Sequence, residues 1–528
     1  MSASISIGAP VAALPTTTAT KPVVTRAWPL SLAIVMWGLL IFGSAIRISQ
    51  LQANRSLWLD EVMLAQNIVD RSVGGLLQPL DYHQEAPLGF LMLTKICVIT
   101  LGNTEVAFRL IPMLASIASL GLFCIIGRRF LTPVATVAGL SLLVFGNPSF
   151  RYAIEAKPYA MDMLWSLAIV WTAMWTWRMR TRGWLWLYAL VGVAAVWFSY
   201  PSVFVLGGVG GTLIMGAWYR GDRRFANILT GVSACWMMSF LVLFFAFLRF
   251  RTSDHVLQGF WDERFMPLPP TSVDDLKWYI STFFSTFRDV MGLELRGVGA
   301  LAFVIGSIWL VMSGRKLLWL LTLPIAVALV VSAFGLYPFG GRLLLFAAPL
   351  IAIVIGFGIE AVIRCEEPIA RWCGLALVGI MLLHPIADTA EAALRRPESQ
   401  EVRPLVEHLR ANWREGDVMY VYHGAIPAFK YYAQRAGIQN VNAVQGISPT
   451  GDWNDYAVDL KQVSGNERAW VLMSHISRGE VDDAALFKFL LGNMGQSLEE
   501  VNAHEAVLLL YDLRGRRDEN AALAAARE

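Results

Sequence analysis

The chain has 528 residues, of which 56% are hydrophobic and only 16% are charged, and its mean hydropathy is +0.52. A soluble protein would carry roughly 25% charged residues, so the composition excludes an ordinary soluble globular protein. The formal net charge of +3 does not indicate a nucleic-acid partner, because in such a chain only the distribution of charge is informative. The five cysteines show no metal-type spacing and are too few for a disulfide framework.

Apolar runs of membrane-spanning length organise most of the chain. Residues 1–27 are rich in Ala, Ser, Thr and Pro and are predicted to form a disordered cytoplasmic tail. The apolar runs that follow are roughly 28–46, 87–101, 105–127, 133–150, 159–177, 184–199, 201–219, 225–249, 297–313, 317–336, 343–363 and 372–387. Runs of about 20 apolar residues predict transmembrane helices. We therefore expect an all-α polytopic membrane domain over residues 28–390.

The run 87–101 decides the topology, because it is too short to cross a membrane comfortably and Lys95 interrupts it. If it does not span, the later basic clusters all fall on the same side as Lys21 and Arg26, as the positive-inside rule requires. If it spans, every one of those clusters falls outside. We therefore predict eleven transmembrane helices and a long external loop, 49–104, that holds two juxtamembrane helices.

The first of these juxtamembrane helices carries an apolar stripe. Val62, Ala65, Ile68 and Val69 recur at helical spacing, which suits a helix lying in the membrane interface. The two acids Asp60 and Glu61 stand at the start of this helix.

The tail, residues 395–528, loses the long apolar runs and alternates helix and strand patterns. The predicted elements are a helix at 402–413, a strand at 418–423, a helix at 425–436, a strand at 469–473, a helix at 482–493 and a strand at 506–511. Such alternation is typical of a small α/β domain. Because eleven is an odd number of spans, the two ends of the chain lie on opposite sides of the membrane, which places this domain on the external, periplasmic side.

The predicted external loops collect polar side chains that recur beside the membrane. They are Asp60, Glu61, Glu85 and Arg109 around the first loop, Glu155 and Lys157 in the next, and Tyr337 and Arg342 in the last. A carboxylate can take a proton from a hydroxyl, and cations can hold the charge of a departing phosphate. This set suits a reaction between a hydroxyl acceptor and a phosphate leaving group. A metal role is not indicated for His83, a single histidine without ligand spacing.

Each candidate also has a simpler interpretation. Asp60 and Glu61 could cap the helix that they open, since acids favour helix N-termini. Arg109 and Arg342 could be interfacial arginines that extend to the headgroups. Glu155 and Lys157 could form a solvated pair that contributes little. The chemical interpretation gains weight because all the candidates fall on one side of the membrane.

These residues also carry a resemblance. Ser56 to Glu61 resembles the first external loop of GT-C fold glycosyltransferases, and the nearest group is the protein O-mannosyltransferase and lipid A aminoarabinose transferase superfamily. Glu85-Ala86-Pro87-Leu88-Gly89 is similar to that family's juxtamembrane motif, and Thr104 to Arg109 to the arginine that opens its second span. Tyr152 to Tyr159 resembles the second-loop acidic motif, and Gly341 to Pro349 a span that contributes to donor binding.

The resemblance implies a donor made of a sugar linked to polyprenyl phosphate, with Asp60 as the general base and Glu61 beside it in the catalytic pair. Arg109, Lys157 and Arg342 would neutralise the lipid phosphate, while Glu85 and Glu155 would position the acceptor or a neighbouring cation. Tyr337, in the loop just before Arg342, is also predicted to bind substrate. Ala86 stands where the aminoarabinose transferases have a phosphate-contacting lysine, so Lys157 or Arg342 would have to supply that contact. No cofactor is implied, and a divalent metal is compatible with the sequence but not required.

The prediction is an inverting glycosyltransferase of the bacterial inner membrane with its active site on the periplasmic side. The acceptor is left open among a lipid, a polysaccharide and a protein. The alternative is a transporter or lipid flippase, which would place charged residues near the middles of spans. Here the ionisable residues fall mostly at span ends or in loops.

Overall fold

The computed structural model describes residues 28–250, 259–314, 316–394, 400–448, 454–476 and 482–515. The predicted N-terminal tail, 1–27, lies outside the described residues. The helices of the apolar part are α1 Leu30–Gln52, α2 Leu59–Asp70, α3 Leu88–Leu101, α4 Glu105–Phe130, α5 Pro133–Phe145, α6 Asn147–Arg151, α7 Tyr159–Met179, α8 Arg182–Phe198, α9 Ser202–Tyr219, α10 Arg223–Ala246, α11 Val273–Asp289, α12 Arg296–Met312, α13 Leu317–Ala333, α14 Ala348–Ile363 and α15 Pro368–Leu394.

Many of these helices have the length and composition of membrane spans. Six are long and apolar enough to cross a membrane, and a seventh span is added if α5 and Asn147–Ile154, bent by 62°, form one broken crossing. Three further helices, α8, α12 and α13, are apolar but have 17 residues each. The chain is therefore a polytopic helical membrane protein, and the number eleven stays a prediction.

Helix α14 forms the centre of the membrane part. Its residues from Ala348 to Glu360 are all buried, because α5 and α12 pack along it. A Cβ atom on Gly306 of α12 would lie 2.0 Å from the carbonyl oxygen of Val354, and one on Gly358 would lie 2.0 Å from that of Ala302. Glycine is thus required where α12 and α14 cross, as is common where membrane helices approach closely.

The first loop contains the two predicted helices, α2 and α3. The apolar face of α2, however, is not placed against the membrane as expected. Val62, Ala65 and Ile68 are at most 1% exposed, since α2 packs against α3 and against a helix of the tail. The expectation that this stripe lies in the membrane interface is therefore wrong. An apolar helical face can be covered by protein or by lipid, and the tail provides the cover here.

The tail folds into a sheet with helices. Its elements are α16 Val402–Asn412, β1 Val418–Val421, α17 Ile426–Ala436, β2 Ala443–Gln445, α18 Asn454–Asp459, β3 Ala469–Ser474, α19 Asp483–Met494, β4 Gln496–Ala503 and β5 Ala506–Asp512. The strand order is β2-β1-β3-β5-β4; β1 is parallel to β2 and β3, while β5 is antiparallel to β3 and β4. The sequence predicted three of the five strands and missed β2 and β4.

A buried ion-pair cluster joins the tail to the membrane helices. Glu105, the first residue of α4, has no exposed side-chain surface and binds Arg403 and Arg435 of the tail at 2.9 Å each. Because each guanidinium remains partly exposed, the pair of arginines can satisfy the buried carboxylate without full desolvation of both cations. This cluster fixes the tail beside the loop that leads into α2.

The tail also binds the backbone just before Asp60. The hydrogen bonds run from Ser56 Oγ to Glu401 Oε2 (2.7 Å), from Leu57 N to Tyr432 Oη (2.7 Å) and from Leu59 N to Gln400 Oε1 (3.0 Å). Side chains of the tail therefore hold this short extended segment at Ser56, Leu57 and Leu59.

Candidate active site

Asp60 lies between two cations that come from distant parts of the chain. Its Oδ1 is 3.0 Å from Lys157 Nζ, and its Oδ2 is 3.0 Å from Arg342 Nη1. Gln84 donates a hydrogen bond to Oδ1 at 3.1 Å and accepts one from Lys157 at 2.6 Å. The Asp60 side chain keeps 18% of its surface exposed, so this carboxylate can still be reached.

Local structure brings each of these side chains to the same place. Asp60 is in the first turn of α2, which begins after the extended residue Trp58. Lys157 lies between the short 3-10 helix that ends at Ile154 and the start of α7. Arg342 is the second residue of a 3-10 helix, Gly341–Ala347, that leads into α14. The preceding residue, Gly341, has φ +54°, a conformation that glycine adopts without steric cost.

The charges set the protonation state of this cluster. Burial alone would raise the pKa of Asp60, but Lys157 and Arg342 lower it further than burial raises it, so the net pKa lies below the usual value. Burial lowers the pKa of Lys157, and its contact with Asp60 offsets only part of that change. At neutral pH, Asp60 is therefore a carboxylate held by cations.

Glu61 faces a different partner from Asp60. Its carboxylate is fully buried and accepts hydrogen bonds from Arg109 Nε (2.8 Å), Ala156 N (2.7 Å) and Trp58 N (3.2 Å). Burial would raise the pKa of Glu61, but Arg109 lowers it more, which keeps the group ionised. Of the two acids, Glu61 therefore has the helix-capping contact, and it does not lie in the accessible cluster with Lys157.

Arg109 is committed to the same buried pair. Besides Glu61, it donates to the carbonyl oxygens of Arg55 (2.8 Å) and Ser56 (2.9 Å), and its side chain is 3% exposed. The guanidinium thus ties α4 to α2 and to the loop between α1 and α2. In this arrangement Arg109 does not face the surface on which Asp60 is exposed.

The remaining predicted site residues are spread around the cluster. Glu155 is buried and accepts a hydrogen bond from Arg151 at 2.8 Å; burial raises its pKa above the usual value. Tyr337 donates to the carbonyl oxygen of Leu343 at 2.9 Å and so braces the segment that presents Arg342. Glu85 is exposed and directly follows Gln84.

Aromatic rings surround the Arg342 guanidinium. Its carbon Cζ lies 5.7 Å from the centre of the Tyr159 ring and 5.8 Å from that of Trp261. Both distances are within the range of cation–π contacts. Such contacts orient the guanidinium while leaving its N–H groups able to bind an anion.

Several side chains of the site were not identified from the sequence. Gln84 bridges Asp60 and Lys157, but an isolated glutamine in a loop carries no recognisable signal. Asp162, one turn into α7, is buried, and its Oδ1 has no hydrogen-bond partner among the described residues. In the sequence, an acidic residue inside an apolar run was the signal that could have identified Asp162. In the part of the chain that the structure describes, no three His, Cys, Asp or Glu side chains are grouped to hold a metal ion.

The structure thus brings together three predicted residues, Asp60, Lys157 and Arg342, and places Glu61 and Arg109 in an adjoining buried pair. The simpler interpretation of Glu155 and Lys157 as a solvated pair does not apply, since both are buried and each has another partner. The geometry offers an accessible carboxylate, Asp60, and two cations, Lys157 and Arg342, that can bind another anion in its place.

Comparison with solved structures identifies the fold. The chain is similar to ArnT from Cupriavidus metallidurans bound to undecaprenyl phosphate, with a TM-score of 0.53, 11% identity and coverage of 91% of this chain and 98% of that chain. ArnT in the apo state gives a TM-score of 0.51, 12% identity and the same coverage. No protein-family model and no curated protein sequence matches the chain. The chain therefore has the GT-C fold, which it shares with ArnT.

Proposed function

We propose that the protein is a membrane glycosyltransferase that moves a sugar from a polyprenyl-phosphate-linked donor to a hydroxyl acceptor. The observation that carries this proposal is the accessible Asp60 carboxylate held between Lys157 and Arg342. The GT-C fold shared with ArnT, which was solved with undecaprenyl phosphate, supports the donor class. We place the reaction at the periplasmic face of the bacterial inner membrane, following the charge distribution of the sequence.

In the proposed mechanism, the donor phosphate displaces Asp60 from the two cations. Lys157 and Arg342 each make one contact with Asp60 at 3.0 Å, and the two unesterified oxygens of the donor phosphodiester can accept these contacts instead. The phosphate monoester that leaves carries more negative charge and binds the two cations more strongly. Transfer of the cations to the phosphate removes the interactions that lower the pKa of Asp60. Donor binding would thereby turn a strongly paired carboxylate into a better proton acceptor.

The chemical step then needs one base and a stabilised leaving group. Asp60 takes the proton of the acceptor hydroxyl while the oxygen of that hydroxyl bonds to the anomeric carbon. The bond from that carbon to the phosphate oxygen breaks, and polyprenyl phosphate leaves with the electron pair. Attack opposite the leaving group inverts the anomeric centre. Lys157 and Arg342 stabilise the charge that develops on the phosphate.

We assign the other predicted residues to positioning roles. Glu61 and Arg109 form a fully buried pair that fixes the start of α2, and therefore the orientation of Asp60. Glu85 and Glu155 would position the acceptor or a cation beside it, and Tyr337 braces the segment of Arg342. The acceptor remains a lipid, a polysaccharide or a protein, and a divalent metal remains compatible with the mechanism.

The test compares Asp60→Asn with Asp274→Asn, since Asp274 is an exposed aspartate elsewhere on the chain. A deletion strain complemented with each variant is analysed by mass spectrometry of polyprenyl-linked donors and surface glycans. Loss of a general base lowers transfer about 10²- to 10⁴-fold, so Asp60→Asn should restore no glycan product, whereas Asp274→Asn should restore it fully.

Wild-type transfer by Asp60→Asn would refute the assignment of the base. A glycan profile that does not change on deletion would contradict the enzyme itself. The alternative, a transporter or flippase, predicts that Asp60→Asn still moves its substrate across the membrane.

A further inference from the structure

A glutamine of the tail accepts a hydrogen bond from the first residue of the helix that carries Asp60. Helix α2 begins at Leu59, and the backbone N–H of Leu59 donates to Oε1 of Gln400 at 3.0 Å. The first N–H groups of a helix have no acceptor within the helix. Gln400 therefore supplies, from the tail, the acceptor that Leu59 needs, one residue before Asp60.

The side-chain amide of Gln400 has a second partner at its other end. Its Nε2 lies 2.8 Å from Nδ1 of His475. Because the N–H of Leu59 can only donate, Oε1 must face Leu59 and the NH₂ group must face His475. Nδ1 of His475 is therefore the acceptor of this bond, and the imidazole carries its proton on Nε2.

The second bond matters because one bond does not fix a glutamine side chain. The last torsion of glutamine has a broad distribution, and ordering this long side chain costs conformational entropy that opposes each bond it makes. The bond to His475 holds the NH₂ end of the Gln400 amide and so keeps the oxygen directed at Leu59.

His475 itself stands on a rigid part of the tail. It directly follows β3, the central strand of the sheet, which is paired on both sides. A Cβ atom on Gly424, which follows β1, would lie 2.9 Å from the carbonyl oxygen of His475, so the segments after the two strands pack closely. His475 has φ +51°, which is uncommon for residues other than glycine. Such a conformation persists where the surrounding structure imposes it.

We propose that His475 is a positioning residue for Asp60 and acts through Gln400 and Leu59. The inference rests on the proposed glycosyltransferase function, in which Asp60 is the base. Two hydrogen bonds link the end of β3 to the first turn of α2, which contains Asp60. Because His475 is two hydrogen bonds away from that turn, its loss should lower kcat and leave KM near the wild-type value.

Two substitutions of His475 separate its hydrogen bond from its backbone conformation. Asparagine adopts positive φ more readily than most residues, and its Oδ1 takes the place of histidine Nδ1, so His475→Asn keeps the acceptor. Glycine adopts φ +51° without steric cost, so His475→Gly keeps the backbone conformation and removes the acceptor. His408→Ala is the matched control, because His408 is a tail histidine whose Nε2 is hydrogen-bonded elsewhere, to Glu499 of β4.

The first measurement is amide hydrogen exchange of the full chain in lipid nanodiscs, which needs no substrate. His475→Gly should exchange the amides of 57–63 about 3- to 10-fold faster, as loss of one hydrogen bond implies, and Gln400→Ala should do so at least as much. His475→Asn and His408→Ala should exchange as the wild type does. Equal thermal unfolding of the two His475 variants shows that both are folded.

The second measurement is transfer from the polyprenyl-linked sugar isolated from the source membranes. His475→Gly should lower kcat about 3- to 10-fold with KM unchanged, and His475→Asn should restore it. Because His475 acts through Gln400, adding His475→Gly to Gln400→Ala should lower kcat no further.

The inference is overturned if His475→Gly exchanges or transfers like the wild type, if His475→Asn is as impaired as His475→Gly, or if the loss appears in KM alone. Additive losses from His475→Gly and Gln400→Ala would also overturn it. Failure of the proposed function looks different, because Asp60→Asn would then retain transfer while exchange over 57–63 still depends on His475. Wild-type exchange in His475→Gly, together with transfer that requires Asp60, would refute only this inference.

Discussion

Replacement of Lys157 by Gln tests the central cluster, because it removes one of the two cations from Asp60. Lys157 Nζ lies 3.0 Å from Asp60 Oδ1, and the side chain is buried, so bulk solvent cannot replace the lost charge. If this ammonium also stabilises the departing phosphate, its loss should lower kcat about 10²- to 10³-fold, equivalent to about 2.7–4 kcal/mol of transition-state stabilisation.

The pH profile of the same variant gives an independent readout. In the proposed mechanism, transfer needs the ionised form of Asp60, so kcat/KM should fall as pH drops through the pKa of this group in the free protein. Lys157 is the foremost of the charges that lower this pKa. Without it the pKa rises, and the acidic limb of the profile should move to higher pH. Lys157→Arg keeps the cation and should leave the limb near its wild-type position.

The assay measures transfer from the polyprenyl-linked sugar isolated from the source membranes, over a range of pH. Lys277→Gln serves as the control, because Lys277 is 71% exposed and pairs only with the nearby Asp274 among the described residues. Equal kcat/KM and an unmoved acidic limb in Lys157→Gln would refute the assignment of Lys157 to the reacting cluster.

Two further predictions concern the buried ion pairs. Arg109→Met leaves the Glu61 carboxylate buried without its arginine partner and should lower the free energy of unfolding by about 3–5 kcal/mol. The loss is measured as a lower temperature of thermal unfolding. The double variant with Glu61→Gln removes the unpaired charge and should recover part of the lost stability. Glu105→Gln removes the charge that binds Arg403 and Arg435 and should weaken the attachment of the tail by about 1–3 kcal/mol. Amide hydrogen exchange over 402–436 should then become roughly 5- to 150-fold faster. Unchanged exchange over these residues would contradict the role of Glu105 in holding the tail.

The sequence was sufficient to predict the class of fold, and three of the residues that it singled out, Asp60, Lys157 and Arg342, lie together in the structure. It did not show how the predicted residues pair. Asp60 and Glu61 are adjacent, and side chains one residue apart on a helix point about 100° apart. They therefore meet different partners, Lys157 and Arg342 for one and Arg109 for the other. Which acid would be accessible depended on how the loops close over α2, and no local pattern records that.

The errors have similar physical causes. The apolar stripe of α2 was assigned to the membrane interface, yet α17 covers it, because helical periodicity shows which face is apolar and not what lies against it. Strand β2 has three residues, none of them buried, and β4 is an edge strand with mostly polar, exposed side chains. Neither has the apolar alternation by which a strand is recognised.

The contacts of the tail give it a role in the geometry of the candidate active site. Glu401 binds Ser56 and Gln400 binds Leu59, so side chains of the tail hold the backbone immediately before Asp60. In the proposed mechanism, Asp60 loses its two cations to the donor phosphate and must keep its position while this happens. Displacement of a reacting group by about 1 Å can lower the rate 10²-fold. In the proposed mechanism, Lys157 and Arg342 cannot provide this constraint once they bind the donor. The tail and the buried pair of Glu61 with Arg109 remain in place, and they supply the rigidity that the proposed mechanism requires.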